Sequence, residues 1–287
     1  MGIIRLIYEN ISKKPKNKKA IAYIEKQESN SNISECYEPA FIQMMERHNE
    51  KVIEELEALI DVNMPAQILD VTGGRGQNLS ILKKQYSDAD YTLIERNEEN
   101  IIYAKAILGE EVTYINRNSL QYLQVCLPDT FDIILCMWPN KATVLDALIE
   151  ECTRVLKPQG KLLIITSLRD TLPEIVNIYH KLFVKYNNKV NAVKLVNGLP
   201  TDIKKLNKKC EKMKLKTHVC KEIRHISGFA SAKVLVSWIL QSGVMTDYEA
   251  ILSLRDKKVR DDMIAMLEEK QINWVTQRFV YGIWEKN

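Results

Sequence analysis

The chain has 287 residues, a length that fits one α/β domain with additions or two small domains. Apolar residues make up 46% of the sequence, enough to supply a sizeable core, and the formal net charge of +4 is too small to indicate a nucleic-acid partner by itself. No apolar run approaches the length of a membrane span.

The six cysteines, at positions 36, 126, 136, 152, 210 and 220, show no paired spacing, and several fall inside predicted strands or helices. Buried, reduced cysteines are typical of reducing compartments. The N-terminus has no long apolar stretch that ends in a small-residue cleavage site. Leu6 stands where N-myristoylation at Gly2 requires Ser or Thr. These features predict a cytoplasmic protein without a membrane segment.

Residues 1–36 hold a short apolar patch, a basic loop and a polar linker. This stretch is either a solvated arm or a segment that folds over a ligand or contacts an acidic partner. From Tyr37 to Val62, apolar residues recur at helical spacing, and Pro39 suits a first helical turn. Residues 1–62 are therefore predicted to form an N-terminal arm and a cap helix, followed by the main domain over 63–287.

Strands then alternate with helices. The predicted strands are 67–71, 90–95, 112–115, 131–136 and 161–166, and the predicted helices between them are 77–85, 97–107, 119–125 and 142–156. Such alternation predicts a parallel sheet with helices on both faces, an α/β fold of the Rossmann-like type. Asn97 suits the N-cap of its helix, Gly109 ends that helix, and a Pro-Gln-Gly turn at 158–160 leads into the fifth strand.

After Ser167 the pattern changes. Helices are predicted at 173–186 and over the lysine-rich stretch 203–216, and strands at 217–226 and 276–284 raise the number of strands to seven. The last two strands are separated by about fifty residues that predict helices at 231–241 and 248–270, a helical insertion over about 229–272. His218 and Cys220 share one strand face, but no spacing matches a metal motif, so no metal is expected.

A glycine-rich turn follows the first strand. The apolar run before it ends in Asp70, and an amphipathic helix begins after it. Glycines let a ligand approach the main chain, and the helix start presents unpaired N–H groups. The bare motif also fits a plain strand-to-helix connection. Glu95, about twenty residues on at the end of the next strand, favours the ligand, because a carboxylate there can accept hydrogen bonds from both hydroxyls of a ribose.

At these residues the chain resembles the class I methyltransferases that use S-adenosylmethionine. Their first motif is acid-x-Gly-x-Gly-x-Gly, and here Asp70–Gly76 matches it except that Thr72 replaces the first glycine. That replacement is tolerable if Thr72 has a negative φ. The resemblance continues in order through 131–136 and through the helix–Pro-x-Gly–strand passage at 151–165, and it covers about Gln67 to Ser167.

The resemblance implies S-adenosylmethionine as the cofactor and S-adenosylhomocysteine as its product. It places Gly74 and Gly76 in the backbone turn under the cofactor, Asp70 near its amino group, and Glu95 at the ribose. Asn118 stands where the family has an aspartate for the adenine amine, and a turn-forming role for this Asn is an equal alternative. The cofactor-binding residues that the resemblance implies are Asp70, Thr72, Gly73, Gly74, Gly76, Asn78, Glu95, Arg96, Asn118, Ser119, Cys136 and Met137.

The acceptor site is expected after the fourth strand, and the resemblance implies that the helical insertion over about 229–272 is a lid that closes it. A Trp beside a Pro at the carboxyl end of a strand is poorly placed for a core and suits one wall of a pocket. The substrate-binding candidates are Trp138, Asn140, Tyr37 and Phe229. The chain lacks the Asn/Asp-Pro-Pro-aromatic motif of enzymes that methylate exocyclic base nitrogens, which argues against DNA as the acceptor. A general base is needed only for a protonated nucleophile, and the candidates for it are His225 and Tyr37.

The sequence therefore predicts methyl transfer to oxygen or nitrogen of a small molecule or peptide. One alternative is RNA methylation, with the lysine-rich helix as a docking edge, although no aromatic residues interleave its lysines. A second is a non-catalytic partner that keeps the fold, which the changes at Thr72 and Asn118 permit. A third, aminopropyl transfer, requires acidic residues around the acceptor amine, and residues 137–140 offer none.

Overall fold

The computed structural model describes residues 39–60, 67–139, 145–190, 199–242 and 244–287. The predicted arm over 1–36 lies outside these ranges, as do Tyr37 and Asn140. The helices are α1 (Pro39–Glu57), α2 (Gln77–Gln85), α3 (Glu98–Leu108), α4 (Ser119–Leu123), α5 (Leu145–Val155), α6 (Pro173–Lys185), α7 (Ile203–Lys212), α8 (Ala232–Ser242), α9 (Thr246–Glu249) and α10 (Lys257–Glu269). The strands are β1 (Gln67–Asp70), β2 (Asp90–Ile94), β3 (Thr113–Ile115), β4 (Phe131–Met137), β5 (Leu156–Ser167), β6 (Leu215–Gly228) and β7 (Trp274–Lys286).

The seven strands form one sheet in the order β3-β2-β1-β4-β5-β7-β6. The pairs from β3 through β5 are parallel, and β7 runs antiparallel to β5. Parallel neighbours end at the same edge of the sheet, so the residues that follow β1, β2 and β4 lie near one another. The predicted seven-stranded, mostly parallel α/β sheet is confirmed.

Two faces of the sheet bury different helices. Leu162 and Ile164 of β5 belong to an apolar cluster with buried residues of α5 and α7, whereas Tyr281 of β7 donates from its hydroxyl to Glu55 of α1 at 2.9 Å. Ile165 is paired directly with Tyr281 and so points to the same face as Tyr281, and because side chains alternate along a strand, this face is opposite to that of Ile164. The predicted helices on both faces of the sheet follow from this alternation.

Two predicted elements differ from the structure. The helix predicted over 248–270 is interrupted after α9, and α10 starts at its own N-cap, Asp256, whose carboxylate accepts from the backbone N–H groups of Lys258 and Val259. The turn predicted at 158–160 lies within β5, where Gln159 has φ 64 and the pairing with β4 shifts register. The turn is thus an irregularity of the strand instead of its boundary. Asn97 caps α3 as predicted, because its side chain accepts from Glu99 N at 2.9 Å.

The chain divides into two compact units. The first contains residues 1–42, 170–197 and 224–277, and the second contains 43–169, 198–223 and 278–287. The core of the first unit is built from α6, α8, α9 and α10. The predicted insertion at 229–272 falls in this unit, and its role in closing an acceptor site stays a prediction. Within the described ranges, no helix has both the length and the apolar character that crossing a membrane requires.

Candidate functional site

In the turn from β1 to α2, Gly73 and Gly76 have no room for a side chain. Gly73 donates from its backbone N–H to Ile94 O at 3.0 Å, so close that a Cβ on Gly73 would lie 2.4 Å from Leu93 Cγ. Gly76 has φ +87, and its Cβ would lie 2.8 Å from Leu108 Cδ1. These two glycines therefore allow the turn to pack against β2 and α3. Thr72 is not among the residues with positive φ, so the condition for replacing the first motif glycine is met.

Gly74 has the opposite environment. Its φ is +52, and among the described residues a Cβ built on it would have one neighbour within 4 Å, the Thr72 carbonyl oxygen at 3.8 Å. As far as the described part of the chain goes, the main chain at Gly74 is therefore open, in contrast to Gly73 and Gly76. A ligand can approach the backbone here as closely as the sequence pattern predicts.

Glu95 lies beside this open turn. Its Oε2 accepts from Gly74 N at 3.0 Å, and its Oε1 accepts from Asn97 N at 2.8 Å. Each carboxylate oxygen has a second lone pair, so Glu95 can accept two further hydrogen bonds. The side chain is half-buried. Glu95 therefore contacts the glycine turn directly, as expected if the two belong to one site.

Asp70 is fully buried at the end of β1. Its Oδ1 accepts from the backbone N–H of Thr72 at 2.9 Å and from the Thr72 hydroxyl at 3.1 Å, and its Oδ2 accepts from Asn78 Nδ2 at 3.1 Å. Burial raises the pKa of Asp70 from an ordinary 3.8 to about 6, the negative charge of Glu95 adds to the rise, and the three hydrogen bonds oppose it. At neutral pH the carboxylate is therefore the main form.

This raised pKa predicts an unusual pH dependence of stability. The folded state binds the Asp70 proton more tightly than the unfolded chain, so the stabilisation is present at low pH and is lost as the pH rises through about 6. Between pH 7 and pH 5 we expect Asp70 alone to add about 1 kcal/mol to the free energy of unfolding. Urea unfolding of the wild type and of Asp70→Asn at both pH values measures it. Equal pH dependence in the two proteins would contradict the assignment.

The residues after β4 meet α1. Trp138 donates from Nε1 to Asn49 Oδ1 at 2.8 Å, and its ring lies 4.9 Å from that of Phe279. The His48 ring contacts Phe279 edge-on, with centroids 4.8 Å apart. Trp138 is half-buried at the carboxyl edge of the sheet. Neither Asn49 nor Phe279 is predicted from the sequence, because nothing local in the sequence marks a helical Asn or a strand Phe as a partner of Trp138.

Asn118 and Ser119 begin α4. The Asn118 side-chain oxygen accepts from Gln121 N at 3.2 Å, which makes this residue the N-cap of the helix. Its amide nitrogen and the second lone pair of its oxygen are not used by that cap. Ser119 donates from its hydroxyl to Val71 O at 2.6 Å and thereby ties α4 to the end of β1. Both residues lie near the glycine turn, and their predicted contact with adenine stays a prediction.

Other predicted site residues lie in different surroundings. Cys136 is fully buried in the apolar cluster of the second unit, and burial raises the pKa of its thiol well above the ordinary range. Arg96 is exposed, and its carbonyl accepts from Asn116. Phe229 and His225 belong to the first unit, where the Phe229 ring lies 5.1 Å from that of Trp238 in the core and His225 is half-buried on β6.

Arg75, between the last two motif glycines, also has a defined contact. Its guanidinium carbon lies 4.2 Å from the centroid of the Tyr103 ring, a cation–π contact between the turn and α3. This contact points the Arg75 side chain towards α3. Among the described residues, no group of three or more His, Cys, Asp or Glu side chains could hold a metal ion.

The sequence matches a known protein family over most of its length. A family described as "Methyltransferase domain" matches residues 63–235, which is more than half of the chain. The matched range begins before β1 and contains the glycine turn, Glu95 and Trp138. No curated protein sequence matches this chain significantly.

Solved structures with the same fold come from several organisms. A proposed sarcosine dimethylglycine methyltransferase from Galdieria sulphuraria is 15% identical, with a TM-score of 0.51 over 84% of this chain and 86% of that one. The YcgJ protein of Bacillus subtilis is 15% identical, with a TM-score of 0.53 over 84% of this chain and 99% of that one. A proposed methyltransferase from Bacillus halodurans is 14% identical, with a TM-score of 0.53 over 81% and 97%. At these identities the likeness shows the fold.

Proposed function

This chain belongs to the methyltransferase-domain family, the class I enzymes that use S-adenosylmethionine, and we propose that it methylates oxygen or nitrogen of a small molecule or peptide. The observation that carries the proposal is the open backbone at Gly74 with the Glu95 carboxylate hydrogen-bonded beneath it. The positive φ of Gly74 by itself favours glycine at this position. What packing alone does not require is that the Glu95 carboxylate lie at this turn with two acceptor positions unused by its backbone partners.

The residues at the turn fit the cofactor. Glu95 is held by two backbone N–H groups and has two lone pairs left, which suits the two hydroxyls of a ribose. Gly74 would allow close approach of the nucleoside to the main chain. Asp70 carries a negative charge at neutral pH near the same edge, which favours the cationic amino group of the cofactor. Asn118 and Ser119 would lie on the adenine side.

When bound, S-adenosylmethionine supplies an already activated methyl group, so the protein's task is alignment. Trp138 forms an aromatic wall at the carboxyl edge of the sheet, beside the end of β4, and the buried ring of Phe279 packs against it. Such a wall orients an acceptor by packing and excludes water from it. A general base is required only if the acceptor arrives protonated, and we propose no residue for that role.

The first test is binding of the product. We expect S-adenosylhomocysteine to bind the full chain with one-to-one stoichiometry in a calorimeter, and adenosine to compete with it because the ribose site is shared. Calorimetry with homocysteine alone is the control, and it should give no heat of binding at the same concentrations. Absence of S-adenosylhomocysteine binding to the folded protein would overturn the proposal.

The acceptor class needs a separate test. Six lysines on and just after α7 are exposed, at 204, 205, 208, 212, 214 and 216, and this basic surface is the observation that keeps RNA as a second candidate. Incubation with methyl-labelled S-adenosylmethionine and separated RNA, peptide and small-molecule fractions distinguishes the two. We expect label in the small-molecule or peptide fraction. Label in RNA, with binding that weakens steeply as salt is added, would replace our proposal by the RNA alternative.

A further inference from the structure

Two adjacent residues at the carboxyl end of β4 are connected to the same buried carboxylate. The first connection is short. The backbone N–H of Met137 donates to Thr72 Oγ1 at 2.9 Å, and this hydroxyl donates to Asp70 Oδ1 at 3.1 Å. This hydroxyl is available because Thr72 occupies the position of the first motif glycine. A glycine at position 72 would leave the Met137 N–H without this partner.

The second connection starts at the next residue. Trp138 Nε1 donates to Asn49 Oδ1 at 2.8 Å, Asn49 Nδ2 donates to Asn78 Oδ1 at 2.8 Å, and Asn78 Nδ2 donates to Asp70 Oδ2 at 3.1 Å. This series of hydrogen bonds ends on Oδ2 of Asp70, whereas the shorter connection ends on Oδ1. It draws one residue each from α1, α2, β1 and the end of β4.

The direction of the longer chain is determined by chemistry at both ends. An indole N–H can only donate, so Asn49 must present its oxygen to Trp138 and its amide nitrogen to Asn78. Asn78 must then present its own nitrogen to Asp70, and an ionised carboxylate can only accept. Every link is therefore satisfied in one orientation alone. Exposure of Asn49 is 8%, of Asn78 7% and of Asp70 0%, so water does not replace these bonds and each link costs free energy to break.

The backbone at the end of β4 needs such support. Trp138 has φ 57, which is uncommon for a bulky residue, and Pro139 follows it and restricts it further. A strained residue of this kind persists only where its surroundings determine its conformation. The Trp138 backbone N–H donates to Ile165 O at 2.7 Å, and the Nε1 bond to Asn49 holds the indole at the other end.

We propose that Asn49 and Thr72 are positioning residues, which hold the Trp138 indole and the Met137 backbone in place by coupling both to Asp70. This inference deepens the proposed function, on which it rests, because Trp138 is the acceptor-side wall and Asp70 lies on the cofactor side. The two positions act without touching the acceptor. The end of β4 thereby keeps its strained shape whether or not a ligand is present.

One hydrogen-exchange experiment reports on both series of hydrogen bonds. Protein labelled with ¹⁵N in Trp and Met reports the Trp138 indole N–H and the Met137 amide, which Trp138→Phe and Met137→Leu assign among the four Trp and nine Met residues. In the wild type both protons should exchange slowly with solvent. Asn49→Leu should speed exchange of the indole proton about tenfold and leave the Met137 amide unchanged, whereas Thr72→Val should do the reverse.

Two further variants separate positioning from general loosening. Thr72→Ser keeps the hydroxyl and should restore slow exchange at Met137. Asn207 accepts a hydrogen bond from Trp284 Nε1 at 3.2 Å, an Asn–indole pair remote from the turn, so Asn207→Leu is the matched control. It should affect the Trp284 indole and neither Met137 nor Trp138. If Ser behaves like Val, or if Asn49→Leu leaves the Trp138 indole protected, the assignment is wrong.

Failure of the positioning proposal can be told apart from failure of the proposed function. Exchange is measured without ligand, and the same samples are then titrated with S-adenosylhomocysteine. If the exchange pattern appears but the wild type binds no S-adenosylhomocysteine, the positioning of the end of β4 stands and the methyltransferase proposal fails. If the wild type binds and the exchange pattern is absent, the positioning proposal fails alone. If Asp70→Asn folds, it should speed exchange of both the Trp138 indole proton and the Met137 amide proton. Faster exchange of only one of them would overturn the proposed coupling through Asp70.

Discussion

Glu95→Gln is expected to weaken the binding of S-adenosylhomocysteine roughly 100-fold, because hydrogen bonds to a charged group contribute about 1.5 kcal/mol each and two ribose hydroxyls are involved. Gln at this position also cannot reproduce both hydrogen bonds that Glu95 accepts from the protein backbone. Both oxygens of Glu95 accept from backbone N–H groups, those of Gly74 and Asn97, so the NH₂ of Gln must face one of these donors. Calorimetric titration of wild type and variant measures the change.

The control for this prediction is Glu98, three residues after Glu95. Glu98, in the first turn of α3, is exposed, and Glu98→Gln removes a charge of the same sign close to Asn97 without removing an acceptor from the turn. Its affinity for S-adenosylhomocysteine should stay within about threefold of the wild type, since exposed charges are well screened. If Glu95→Gln binds as well as Glu98→Gln, Glu95 does not hold the ribose.

The sheet and the site's centre were predictable because their signals are local. Apolar runs of strand length alternate with helical periodicity, and this alone indicates a parallel α/β sheet. Asp70 and Glu95 end successive strands, and strands that run parallel end at one edge. The contact between Gly74 and Glu95 is thus a consequence of topology that the order of elements already contains.

The Asn49–Trp138 contact was not predictable from local pattern. Eighty-nine residues separate the partners, and a buried Asn in an amphipathic helix has the same sequence signature as one that caps or faces solvent. Likewise, the break between α9 and α10 depends on Asp256 as a cap inside a stretch with continuous helical periodicity. Asn118 shows the same ambiguity, because the residue that suits an adenine contact is also a good N-cap and acts as one here.

Gly73→Ala is expected to lower the free energy of unfolding by about 3 kcal/mol, whereas Gly74→Ala should lower it by only about 1 kcal/mol. At Gly73 the added methyl would lie 2.4 Å from Leu93 Cγ and 3.0 Å from the Ile94 oxygen, so the turn must move away from β2 and lose the Gly73–Ile94 hydrogen bond. At Gly74 the methyl would have no described neighbour nearer than the Thr72 oxygen at 3.8 Å, and its cost is the positive φ. Urea unfolding of both variants measures the difference.

For Gly74→Ala, the effect on ligand affinity should be larger than the effect on stability. Gly74→Ala keeps the fold but points a methyl group into the space that the nucleoside is proposed to occupy, so affinity for S-adenosylhomocysteine should fall at least about tenfold at an unfolding free energy close to that of the wild type. Gly228→Ala is the control for glycine removal itself, because a Cβ there has no neighbour within 4 Å among the described residues and φ is not positive. It should leave affinity unchanged and should not lower the free energy of unfolding, which rises by up to about 1 kcal/mol where Ala fits the backbone of the glycine it replaces. Full affinity in Gly74→Ala would mean that no ligand approaches the main chain at the turn.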